Sequence, residues 1–288
     1  MHALHRSNLF YCLLLLVFVT GSLLINTVLS VTGLTLPHWV RMIIQYALLF
    51  ALPIGLLMKQ AGLAPREIGF TRPTRTASGL ILAVILALLL QPVLMLLSQL
   101  SAMLFHNNVN DTMETIIQEP FILSVLGSAI LPALFEESAF RGVFLMGYTG
   151  DRARPNVSPW TACLFCALAF AGIHISFQQF PYAFVSGFIL AMLALYTGSL
   201  FPSMLTHAGI NLIQLIMAYT GWNPFENTVV LVVSAAVCCL MLAVLWFFIR
   251  PKDLPHGRYM IRKRWREPEM RPFWEAMIFA VIFAAVFG

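Results

Sequence analysis

Apolar runs long enough to cross a bilayer recur along almost the whole of this 288-residue chain. A hydrocarbon core ~30 Å thick takes about 20 residues of helix at ~1.5 Å per residue. Runs of that kind fall at 9–31, 39–58, 78–104, 121–148, 159–177, 181–197, 201–219 and 228–249. A last run at 273–288 is short for a span, and it either crosses or lies partly in the interface. In lipid every backbone N–H and C=O must be satisfied within the protein, so only helices and closed barrels can span. These runs are far longer than barrel strands and do not alternate. The expected fold is an all-α polytopic membrane protein, with about eight transmembrane helices plus a short C-terminal ninth. It forms a single transmembrane domain over 1–288, with the chemistry in a core at about 121–219. Composition agrees, because a chain 60% hydrophobic and 10% charged could not cover a water-facing surface. The first run exceeds a signal-peptide core in length and no A-x-A site follows it, so it is read as a span.

The net charge of +5 suggests nucleic-acid binding only until its placement is considered. The loop at 59–77 carries Lys59, Arg66, Arg72 and Arg75, and the loop after the fourth run carries Arg152 and Arg154. The stretch after Ile249 carries Arg250, Lys252, Arg258, Arg262, Lys263, Arg264, Arg266 and Arg271. Alternate loops hold none: 105–120 has Asp111, Glu114 and Glu119, and 221–227 has only Glu226. Such alternation is the positive-inside signature, and it puts the N-terminus in the cytoplasm, with Arg41 alone against the rule. The partners this implies are the lipid bilayer, with anionic head groups near the basic stretches, and no nucleic acid. The compact length and the absence of retention signals point to a bacterial cell membrane. Cys12, Cys163, Cys166, Cys238 and Cys239 all lie inside apolar runs and imply no disulfide framework.

Ionisable residues inside a membrane are costly and therefore functional suspects. The fourth run contains Glu136, Glu137 and Arg141, the fifth Phe170 and His174, the seventh His207 and Asn211. Glu137 and Arg141 are four residues apart on one helix face and can pair, while Glu136 lies about 100° around the helix and is free for chemistry. His207 and Asn211 share a face by the same spacing. A carboxylate away from bulk water suits a general base that activates water. Imidazoles and a carboxamide can hold that water and donate to a developing oxyanion. His2, His5, His38, His106 and His256 fall outside the runs and receive no role.

At these residues the chain resembles the CAAX-protease and bacteriocin-processing (CPBP) family of intramembrane endopeptidases. The family pattern is E-E-x-x-x-R, then F-x-x-x-H, then H-x-x-x-N on successive helices, and all its positions are present here. The resemblance spans roughly 126–214. It implies that Glu136 activates water with His174, that His207 and Asn211 form the oxyanion site, and that Glu137 and Arg141 support them. It also implies hydrolysis of a membrane-associated peptide or protein substrate, lipidated (CAAX-like) or otherwise, expected from the cytoplasmic side. The family has been described both as metalloproteases and as glutamate proteases. Zinc would be held by Glu136, His174 and His207 in a His₂Glu arrangement, yet the H-E-x-x-H signature is absent. Water activated by glutamate without a metal is the preferred expectation.

Two other classes use the same residues. A proton-coupled transporter would relay protons through them, though the halves of the chain show no repeat symmetry. A catalytically silent relative would act as an immunity or scaffold protein, against which the complete motifs argue.

Overall fold

The computed structural model describes residues 3–74, 76–106, 108–149, 157–249 and 269–287. Among the described residues there are helices and no strands. The long ones are α1 (Ala3–Thr32), α2 (His38–Ala61) and α3 (Thr76–Ala102). After the short α4 (Asn108–Ile116) come α5 (Phe121–Thr149), α6 (Pro159–Ile173) and α7 (Phe180–Thr197). The chain closes with α8 (Phe201–Thr220), α9 (Thr228–Ile249) and α10 (Arg271–Phe287).

Six of these, α1, α2, α3, α5, α7 and α9, are long and apolar enough to cross a membrane. Of the other expected spans, α6 has only 15 residues, and α8 has 20 but carries His207, Asn211 and Gln214. The C-terminal α10 has 17 residues. Two differences from the hydropathy pattern matter for the site. The fifth run, expected to continue to 177, stops as a helix at Ile173, with His174 as its cap and Ile175 in the left-handed region at φ 49°. The loop expected at 105–120 contains α4. The basic residues Arg75, Arg152, Arg154 and those at 250–266 lie outside the described residues.

Lipid gives helices no hydrophobic reason to associate, so close packing and interhelical hydrogen bonds must hold the bundle. One end of the bundle shows both. Tyr11 of α1, Phe144 and Tyr148 of α5, Phe165 of α6 and Phe273 of α10 are fully or almost fully buried. Their rings meet at 5.7 Å for Tyr11–Phe144, 4.9 Å for Phe144–Tyr148 and 4.9 Å for Phe165–Phe273. The Tyr148 hydroxyl donates to the Asn8 side chain, which in turn donates to the Glu269 carbonyl. On the other side of the bundle, α3 packs against α7, α8 and α9.

Helix α2 contains one wide π-helical turn, Tyr46–Ala51, and α5 contains two, Leu126–Ile130 and Ser138–Phe144. Pro53 and Pro132 follow the first two closely. A proline inside a helix lacks the N–H and crowds the carbonyl four residues back, and a widened turn is one way to absorb both. The result is local: Tyr46, Ser128 and Arg141 all project from widened turns, and all three meet the polar groups of the bundle interior.

Candidate active site

Adjacent in sequence, Glu136 and Glu137 enter different surroundings. The Glu137 side chain is fully buried, and its Oε1 accepts from Arg141 Nη1 at 2.8 Å and from His207 Nδ1 at 2.8 Å. Arg141 also donates from Nη2 to the Gly187 carbonyl at 3.1 Å, and its guanidinium lies 4.2 Å over the Phe170 ring. Space around Gly187 is tight, since a Cβ would come within 3.0 Å of the Phe170 ring and 3.3 Å of the Ala167 backbone. The pairing expected from the four-residue spacing is present, and it extends further than the spacing shows. Glu137 joins α5 to α8 through His207.

That contact fixes the His207 ring. A carboxylate accepts, so Nδ1 carries the hydrogen and Nε2 is turned away from the pair. Nε2 lies 4.0 Å from Glu136 Oε2. That is beyond direct hydrogen-bond distance and within reach of one shared water molecule. The other oxygen of Glu136, Oε1, accepts from the Tyr46 hydroxyl at 2.6 Å, and the Tyr46 ring stacks on Phe135 at 5.8 Å.

His174 stands where α6 ends. Its Nδ1 meets the Phe170 carbonyl at 2.8 Å, again a pure acceptor, which leaves the Nε2 lone pair unused. The Phe170 ring packs edge-on against both imidazoles, at 5.1 Å from His174 and 5.8 Å from His207. Asn211 donates from Nδ2 to the Ser128 carbonyl at 3.0 Å. An amide nitrogen has two hydrogens, so one remains for another acceptor.

Glu136, His174, His207 and Asn211 line one cavity of about 500 Å³, whereas Glu137 and Arg141 do not line it. Part of its wall is apolar, from Phe18, Met42, Phe50 and Leu94. The lining also carries polar groups outside the motif residues, among them Tyr46, Ser128, Gln179 and Gln214. Another is His38, expected outside the spans. It is the first residue of α2, is buried, and meets Ser128 Oγ at 3.3 Å through Nε2. The Glu119 carboxylate accepts from the backbone N–H groups of His38 and Trp39 and so caps α2.

A tetrahedral zinc site needs three protein ligands at about 2 Å from one point. Among the described residues no group of three His, Cys, Asp or Glu stands close enough together to hold a metal ion. Glu136, His174 and His207 do not form such a group in this structure.

Most lining groups sit toward one end of the bundle. Thr112 and Ile116 belong to α4, Gln179 immediately precedes α7, His38 begins α2, and Gln214 is in the last third of α8. This is the end bearing the loops without lysine or arginine.

Residues 118–213 match the family described as Type II CAAX prenyl endopeptidase Rce1-like. The matched segment contains all seven motif residues, from Glu136 to Asn211, and covers roughly a third of the chain. No curated protein and no solved structure matched.

Proposed function

We propose, for a chain whose residues 118–213 match the Type II CAAX prenyl endopeptidase Rce1-like family, that it is a membrane protease in which Glu136 is the group that activates water. The observation that carries this is the shared cavity. Three helices, α5, α6 and α8, each contribute their polar motif residue to one space of about 500 Å³.

The chemistry follows from the hydrogen positions. A water held between Glu136 Oε2 and the free Nε2 of His174 or His207 gives its proton to the Glu136 carboxylate as its oxygen attacks the scissile carbonyl. The carbonyl oxygen becomes an oxyanion and accepts from the remaining Nδ2 hydrogen of Asn211. His207, whose Nδ1 hydrogen goes to Glu137, turns its free Nε2 to the water and leaves the oxyanion to Asn211. The C–N bond then breaks, and the proton on Glu136 passes to the departing amine. Glu137 and Arg141 act by holding His207.

The substrate is a membrane-associated or lipidated polypeptide. The apolar wall of Phe18, Met42, Phe50 and Leu94 beside the polar groups suits a chain that is itself partly apolar. A reporter peptide reconstituted with the protein in liposomes tests the reading. His207→Ala removes the imidazole that faces Glu136 across the shared water and is expected to abolish cleavage. Wild-type turnover by that variant would refute the assignment.

A further inference from the structure

We propose that the cavity takes its substrate from the non-cytoplasmic side, so that the scissile segment belongs to a membrane polypeptide displayed on that face. This rests on the protease reading of the same site, and it reverses the direction of access expected from the sequence.

Three observations converge. The first is charge. Of the 17 Lys and Arg residues, only Arg41 and Arg141 lie away from the N-terminus and the loops at 59–77, 149–158 and 250–271. Basic loops are retained in the cytoplasm, so those loops mark the inner face. The opposite loops carry Asp111, Glu114, Glu119 and Glu226.

The second is where the cavity lies. The 59–77 connection bonds through Thr71 and Thr74 to Gly198 and Thr197 at the far end of α7, so Gln179 before α7, with His38 at the start of α2 and His174 after the end of α6 lining the same cavity, belongs to the end opposite the basic loops. Helix α4, on the 105–120 connection at that end, contributes Thr112, Met113 and Ile116 to the lining. No lining residue comes from the 59–77 connection, nor from 195–203.

The third is what lies between the cavity and the basic face. Toward that face α5 continues from Glu136 into the buried Glu137–Arg141 pair and then into Phe140, Phe144 and Tyr148, all closely packed. Gly142 there leaves only 3.0 Å between a Cβ position and the Ile68 carbonyl. A peptide has no passage through packing of that density.

The experiment reads access without relying on catalysis. Gln214→Cys and Met113→Cys each place a thiol on the cavity lining, and Arg66→Cys places one on the basic face. The native cysteines are buried or lie along apolar helices, so wild-type labelling sets the baseline. A charged, membrane-impermeant maleimide is applied to right-side-out and to inverted membrane vesicles. Labelling of the two cavity thiols in right-side-out vesicles only, with Arg66→Cys labelled in inverted vesicles only, supports the proposal. Cavity thiols labelled only in inverted vesicles overturn it, whichever way Arg66→Cys behaves. A second readout uses membrane-anchored reporters whose cleavable segment is on one face or the other. Cleavage confined to the non-cytoplasmic reporter supports the proposal, and cleavage confined to the cytoplasmic one overturns it. If neither is cut while the labelling pattern holds, the access route stands and the protease reading fails.

Discussion

Two neighbouring glutamates divide this protein into a dry half and a wet half. Glu137 is sealed among Arg141, His207 and the Phe170 ring, with its charge matched inside the bundle. Glu136, one residue earlier, faces a cavity and is held by a single hydroxyl, that of Tyr46. Both carboxylates sit at a depth where a charge is expensive, yet only one is compensated as a structural group would be. The difference teaches how a bundle can keep one carboxylate paired and its neighbour open to a cavity. The packed half fixes the positions, and the open half is left with unused hydrogen-bonding capacity on His174, His207 and Asn211.

The comparison breaks most visibly at its dry side. Glu137→Gln leaves the Arg141 charge buried without its partner, and removal of one member of a buried pair costs about 3–5 kcal/mol. The thermal unfolding midpoint of the purified protein should fall strongly, and cleavage should fall with it because His207 loses its orientation. Next in size is Asn211→Ala on the wet side. Loss of one oxyanion donor typically lowers kcat by ~10²-fold or more, with the unfolding midpoint little changed. Tyr46→Phe sharpens the boundary further, since it deletes one hydrogen bond to a carboxylate worth about 1.5–3 kcal/mol. A fall in kcat of about tenfold, with KM near wild type, would mark Tyr46 as a positioning residue for Glu136. The smallest effect is expected from chelation. Because the cavity groups do not converge on a three-ligand metal site, turnover in liposomes should survive a zinc chelator unchanged. Loss of activity restored by added zinc would mean that these side chains regroup around a metal.

How much of this could be read in advance depended on whether a contact lies within one helix or between two. The Glu137–Arg141 pair follows from helical spacing, and so does the divergence of Glu136. The His174–Phe170 relation was also visible as a spacing, although part of it is a backbone bond, from Nδ1 to the Phe170 carbonyl. Tyr46 and Glu136 are 90 residues apart, and a widened turn brings the tyrosine to the carboxylate. No periodicity records such a meeting. The end of α6 was hidden for another reason. Ile175 and Phe177 keep the stretch apolar past the true end at Ile173, so hydropathy runs on while the backbone turns. His38 was missed because it opens its helix at the edge of an apolar run, where composition says least about burial. The family segment at 118–213, by contrast, was legible from three short motifs in order.

The most direct test is a single substitution, Glu136→Gln, which keeps the size and polarity of the side chain and removes its capacity to take a proton. Purified into liposomes with a cleavable reporter, this variant is predicted to unfold at the wild-type midpoint and to cut roughly 10³-fold more slowly or not at all. Cleavage at the wild-type rate by a stably folded Glu136→Gln protein would contradict the account.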